Sequence, residues 1–188
     1  MGQLMEAKGA QVPATRDEPQ VQQYLTFVLQ DEMFGLNIRP IKEIIEYGKI
    51  TSVPMVPPYV RGVLNLRGNV VPVIDLPVRF GWDRSPVNKR TCIVIVEVVN
   101  DDDALDIGIV IDSVSEVLDI EDKDIGAPPS FGAKIRTDFI AGMGRVKEEF
   151  ILLLNPAKVL SVEELSSLQQ VPQKAAPKAL GAEQQVES

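Results

Sequence analysis

The absence of histidine is the first chemical fact in this sequence. Ser-His-Asp and Cys-His catalysis, imidazole metal sites and phosphohistidine relays are closed to the chain acting alone. The one cysteine, Cys92, lies in an apolar run and reads as packing. It permits no internal disulfide and suits a reducing compartment. Carboxylates remain the abundant reactive type. Asp75, Asp106 and Asp112 fall at predicted strand ends, but no phosphate-binding glycine loop or nucleophile–base pair accompanies them. Asn100–Asp103 lacks the spaced ligands, central glycine and closing glutamate of a calcium loop. Gly142-Met143-Gly144 fails as a dinucleotide fingerprint, because Lys147 stands where the third glycine belongs. We therefore assign no catalytic residue, no cofactor and no metal, and expect a protein that is not an enzyme.

What remains is a surface. In Val60–Leu76 two apolar runs, Val63–Leu66 and Val70–Ile74, flank Arg67-Gly68-Asn69. Gly-Asn between β-rich runs signals a tight hairpin, and Gly62 marks a bend or bulge. A period of two puts Asn65 and Arg67 on one face and Leu64 and Leu66 on the other. The stretch is either an ordinary solvated hairpin or a rigid one that presents an arginine to a partner.

The elements around it are mostly strands. Gln22–Leu29 alternates, Asp31-Glu32 turns it, and Met33–Leu36 returns. Asn37–Glu46, with Asn37 as cap and Ile38, Ile41 and Ile45 on one helical face, predicts one or two helical turns before an extended piece. Val53-Pro54 and Val56-Pro57-Pro58 force an extended connection. Thr91–Val99 is apolar on both faces and predicts a buried central strand; Leu105–Asp112 returns from it, and Val114–Leu118 continues that return. After a proline bend at Ala127–Pro129, Phe139–Val146 and Phe150–Leu154 predict a second hairpin. Its Glu148-Glu149 replaces Gly68-Asn69, so its turn is expected to differ. Asn155-Pro156 opens a short helical turn, and Ser161-Val162-Glu163-Glu164 is a capping box for a helix to about Gln170.

Composition agrees with a chain built on aliphatic packing, since 45% of residues are hydrophobic and only 5% aromatic. A net charge of −8 argues against a surface that tracks nucleic acid. No apolar run approaches the ~20 residues that cross a bilayer. The polar first residues lack a signal-peptide core, and Glu6 stands where an N-myristoylation motif needs Ser or Thr. A cytoplasmic location is expected.

The chain also repeats. A shift of 73 lays Gly35 on Gly108 and Glu43 on Glu116, and a shift of 80 lays Gly62 on Gly142 and Val70–Asp75 on Phe150–Asn155. We expect two similar β modules of about five strands, too small to be stable singly, sharing an aliphatic layer.

Phe27-Val28-Leu29, Phe34-Gly35-Leu36, Ile41-Lys42-Glu43-Ile44, Arg61-Gly62-Val63-Leu64-Asn65-Leu66-Arg67-Gly68, Val71–Leu76 and Asp112–Leu118 together resemble CheW, the adaptor family of bacterial chemotaxis arrays. The resemblance covers about Gln23 to Gln170. It implies a mainly β fold: two SH3-like five-stranded β-barrels around a shared hydrophobic core, with short helices including a C-terminal one. Residues 21–171 would form this domain, between flexible tails at 1–20 and 172–188. It implies a non-enzymatic scaffold, monomeric alone and assembled in arrays at the membrane without inserting into it. The scaffold would couple the cytoplasmic tip of a chemoreceptor to the regulatory domain of the histidine kinase CheA. The residues matching the family's receptor-contacting positions are Ile41, Glu43, Gly62, Arg67 and Val117. For Ile41 and Val117 core packing is the competing reading, for Glu43 a solvated charge, and for Gly62 a backbone necessity. An adaptor serving pili, gliding or development is the alternative function.

Overall fold

A computed structural model describes residues 18–128 and 135–160. The predicted tails through residue 17 and from 172, the helix from Ser161 and Pro129 of the second proline bend lie outside them. Eleven strands, β1 (Val21–Leu29), β2 (Glu32–Asn37), β3 (Ile41–Glu46), β4 (Val60–Leu66), β5 (Asn69–Asp75), β6 (Cys92–Asn100), β7 (Asp103–Ile111), β8 (Ser113–Glu121), β9 (Ile125–Gly126), β10 (Ile140–Val146) and β11 (Glu149–Leu154), are joined by two single-turn helices, α1 (Leu76–Arg79) and α2 (Pro156–Val159). No helix among the described residues is long and apolar enough to cross a membrane.

The strands form a five-stranded sheet, β3-β6-β7-β5-β4, and a six-stranded one, β8-β1-β2-β11-β10-β9. The mainly β class holds, with one strand more than expected in the second module. The modules are not successive halves, however. The N-terminal hairpin β1–β2 sits in the sheet of β10 and β11, while β6–β7 completes the sheet of β4 and β5. The repeat survives this exchange in detail. Leu153 pairs with Gly35 and Val73 with Gly108, both in parallel ladders, and bulges interrupt β4 at Val60/Gly62 and β10 at Ile140/Gly142. Val114–Leu118 does not continue β7 but starts β8 at the edge of the other sheet.

Burial follows the pleat. Leu64, Val71, Val73, Ile93, Ile95 and Val110 fill the first module, and Tyr24, Ile120, Ile151 and Leu153 fill the second. A larger cluster lies between them, led by Phe27, Phe34, Ile74, Leu76, Val96, Ile107 and Phe139. β6 carries both kinds of contact, because its alternate residues Ile93 and Ile95 face the first module while Val94 and Val96 face the shared layer. That accounts for its apolar run, although Val99 at its end is exposed.

Candidate functional site

The segment expected to be helical is the strand β3. Asn37 does not cap a helix: its Oδ1 accepts the Arg39 N–H at 3.0 Å and starts a tight turn. From Ile41 the chain pairs antiparallel with β6, whose edge offers it backbone partners over several residues, where an isolated two-turn helix is marginal. Isoleucine-rich sequence favours that outcome. A bulge sets Ile41 opposite Val96 and Glu43 opposite Ile95. The inserted Lys42 turns out to solvent and reaches Glu97 and Asp106, each at 2.8 Å. Hydrogen bonds to Asp106 and then Glu97 push its ammonium up to about 12.

The β4–β5 hairpin turns at Arg67 and Gly68, with φ of 53° and 88°, and not at the Gly-Asn pair; Asn69 already faces Leu66. Two left-handed residues give the primed turn that matches strand twist. The turn projects Arg67 toward Glu43, and its Nη1 and Nη2 donate to the two carboxylate oxygens at 3.1 Å each. Because β3 and β4 are the two ends of the sheet order, this pair spans its open edges. Backbone does the same nearby: Thr51 N donates to Val63 O at 2.8 Å, and Val63 N to Thr51 O at 2.9 Å. The sheet therefore curls into a barrel closed by the strap that follows β3.

Gly62 lies under this strap. Its φ of 147° falls where L side chains are strained, and a Cβ would collide with the Thr51 carbonyl and lie 2.9 Å from Ile50 Cγ2. Beside it is a buried charge cluster. Asp75, 1% exposed, accepts from Arg61 Nε at 2.8 Å and from Arg84 Nε at 3.1 Å. Its other oxygen accepts the Val78 N–H and caps α1. Arg61 Nη1 donates to the Tyr47 hydroxyl at 2.7 Å, and the guanidinium lies over the Tyr47 ring. Burial opposes the Arg61 charge, but the hydrogen bonds and proximity of Asp75 and Tyr47 outweigh it and raise its pKa.

Of the five residues matched to receptor contact, Glu43 and Arg67 touch. Ile41 shares a strand with Glu43, half-buried against the shared core. Gly62 is on β4, held against the strap. Val117 stands on β8 in the other sheet, opposite Leu25 and exposed. Four of the exposed apolar residues form repeat-related pairs, Ile44 with Val117 and Val70 with Phe150. Ile44, Tyr47, Arg61 and Arg84 were not singled out from sequence. Alternation along β3, once read as a strand, points to Ile44; no spacing rule joins Tyr47, Arg61 and Arg84.

Nothing here converges as catalytic machinery would. Asp75 is held by two arginines and Asp106 by Lys42, while Asp112 takes the Gln30 N–H and the Ser85 hydroxyl. Among the described residues no three His, Cys, Asp or Glu side chains gather as a metal site would need. A cleft beside Thr26, Met33, Glu116 and Lys147 has a volume of about 100 Å³. That is small beside the ~300–1,000 Å³ of small-molecule sites.

Residues 23–184 match the model of the CheW-like domain. The chain is 33% identical over 150 residues to the chemotaxis protein CheW of Klebsiella aerogenes, covering 80% of this chain and 88% of that one. It is 33% identical over 144 residues to the CheW of Helicobacter pylori, covering 77% and 84%. A shorter match, 28% over 88 residues, is to the protein PilI of Pseudomonas aeruginosa, covering 47% and 49%. The crystal structure of the scaffolding protein TtCheW from Thermoanaerobacter tengcongensis superposes with a TM-score of 0.66 at 31% identity, over 74% of this chain and 88% of that one. With the family's motifs on β3 to β5 and the interleaved double sheet they build, this chain belongs to the CheW-like domain family.

Proposed function

We propose that the protein is a non-catalytic adaptor. It joins the cytoplasmic tip of a chemoreceptor to the regulatory domain of a CheA-type histidine kinase, in the cytoplasm at membrane-associated arrays. The observation that carries the reading is the rim made by Glu43 and Arg67, with Ile41 two residues from Glu43 on the same strand. It is a charged pair with apolar area next to it, on a rigid closed barrel, with no reactive group nearby. Such a rim suits a helical hairpin tip, whose apolar residues find contact area and whose charges read Glu43 and Arg67. In this reading Val117 extends the contact onto the second barrel.

The test is co-sedimentation of the purified protein with a receptor cytoplasmic fragment and CheA, with kinase activity as the second readout. All three should sediment together and activity should rise. Arg67→Glu should weaken receptor binding at least tenfold while the protein stays folded. Failure to bind either partner at micromolar concentration removes the reading. The match to PilI supports a second version, in which the same adaptor serves a chemosensory pathway that governs pili. Recovery of a pilus-pathway receptor and kinase from native lysate would select that version.

A further inference from the structure

The internal repeat supplies a control for the charge cluster at Gly62. Shifts of 73 and 80 lay Tyr47, Arg61 and Asp75 on Ile120, Ala141 and Asn155. The backbone equivalence is close. Asp75 N donates to Tyr59 O at 2.7 Å, and Asn155 N to Phe139 O at 2.8 Å. Tyr47 packs with the interior cluster of the first barrel as Ile120 does in the second. Both barrels also close the same way, since Thr51 bridges to Val63 in one and Gly126 pairs with Met143 in the other. The second barrel thus reaches this closure with one apolar residue, one alanine and an asparagine whose side chain makes no cap bond.

Charge is therefore not what closure requires. Arg61 and Asp75 are nonetheless buried, with side chains 7% and 1% exposed. Burying an ion pair is a poor route to stability, and in some proteins such a pair instead singles out one arrangement of the groups around it. Here those groups are specific. Asp75 clamps Arg61 next to Gly62, and Arg61 in turn clamps the Tyr47 hydroxyl at the root of the strap. The strap crosses Gly62 at Thr51 and follows directly on β3, which carries Ile41 and Glu43.

We propose that Tyr47, Arg61 and Asp75 are positioning residues for the docking rim. They lock the strap over Gly62, so that Glu43 and Arg67 meet a partner in one preset geometry and not in several. The proposal rests on the reading of that rim as the receptor-docking face.

The experiment writes the second barrel's residues into the first: Tyr47→Ile, Arg61→Ala and Asp75→Asn together in the full chain. Three quantities are read: cooperative unfolding in urea, amide hydrogen exchange, and affinity for a receptor cytoplasmic fragment under conditions where the variant is fully folded. We expect a folded protein whose Thr51 and Val63 amides exchange at least tenfold faster, while those of the β9–β10 pair keep their rates. Receptor affinity should fall at least tenfold, a loss that a merely structural role would not produce in a fully folded population. Unchanged exchange at Thr51 and Val63, or faster exchange with unchanged affinity, overturns the proposal. If the triple variant does not fold, Tyr47→Phe takes its place. It keeps the ring and removes only the oxygen that accepts from Arg61, and it should show the same two effects at about threefold; no effect overturns the proposal. Arg67→Glu run in parallel separates the two ideas. If it binds like the parent, the docking reading fails, and the exchange rates alone decide whether the strap is locked.

Discussion

At the scale of single residues, most visible charges contribute little to stability and much to surface character. Arg67 and Glu43 form a two-pronged pair, but the arginine side chain is 76% exposed. Such a pair is worth roughly 0–1 kcal/mol. Arg67→Glu should accordingly shift unfolding free energy in urea by only about 1 kcal/mol. A larger loss would make the arginine a structural member. Lys42 behaves differently under titration. Its carboxylate partners raise its pKa from 10.5 to about 12, so their help is fully present below pH 10.5 and fades as pH rises through 12. An NMR titration of its ε-methylene should give a midpoint above that of an ordinary lysine. Cys92 is pushed above its usual 9.0 by burial and by the nearby Glu46, and its thiol donates to the Arg90 carbonyl. Iodoacetamide at pH 8 should therefore modify the native protein several times more slowly than the same protein in urea.

Among the elements, the two hairpin turns are the informative pair. The second was expected to differ, since it has no glycine to match Gly68. Instead Lys147 and Glu148 take φ of 47° and 70°, the same left-handed pair as Arg67 and Gly68. The ladder on either side, from Val146 opposite Glu149 onward, imposes the primed turn whatever residues occupy it. A non-glycine residue in this region costs roughly 1 kcal/mol. Glu148→Gly should thus raise stability by about 0.5–1 kcal/mol, less any gain in unfolded-chain entropy, as read from the urea midpoint. Destabilisation would mean that Glu148 makes a contact outweighing its strain. The same turns mark what sequence can carry. Alternation and β-branched runs made most strands legible, including the buried β6, though not β3, the separate β8 or the two-residue β9, and the bulge at Gly62 announced itself through the glycine. The helix expected at Asn37–Glu46 failed because a periodicity of three or four over so few residues is outweighed by a neighbouring strand edge. The turn at Gln30-Asp31, one residue earlier than read, is a left-handed pair that no glycine flags. Arg67 and Glu43 were each named from the sequence, but their pairing was not, since the two meet only when the sheet curls.

For the whole molecule, the repeat was legible and its wiring was not. Equivalence of Gly35 with Gly108 and Gly62 with Gly142 reveals two modules, yet no local signal says that β1–β2 belongs with β10–β11. That choice is made by the shared layer, which needs Phe27 and Phe34 between the barrels. Phe34 is fully buried and stacks on Phe27 and Phe80, with Trp82 beside it. Phe34→Ala should cost about 3–5 kcal/mol. Since the layer belongs to both barrels, fluorescence of the single tryptophan, Trp82, and far-ultraviolet circular dichroism should lose their native signals at one urea concentration. Two separated transitions would show that the barrels unfold independently.

The exchanged hairpin also has a temporal consequence. On a ribosome β1 and β2 appear before the other described strands and can pair with each other, but β8 and β11, which cover their outer edges, come much later. Gln22 meets Asp122 a hundred positions downstream. At ~5–20 residues per second, roughly five to twenty seconds of translation separate them. For at least that interval the outer edges of this hairpin, which β8 and β11 later cover, stay open to pairing with other chains.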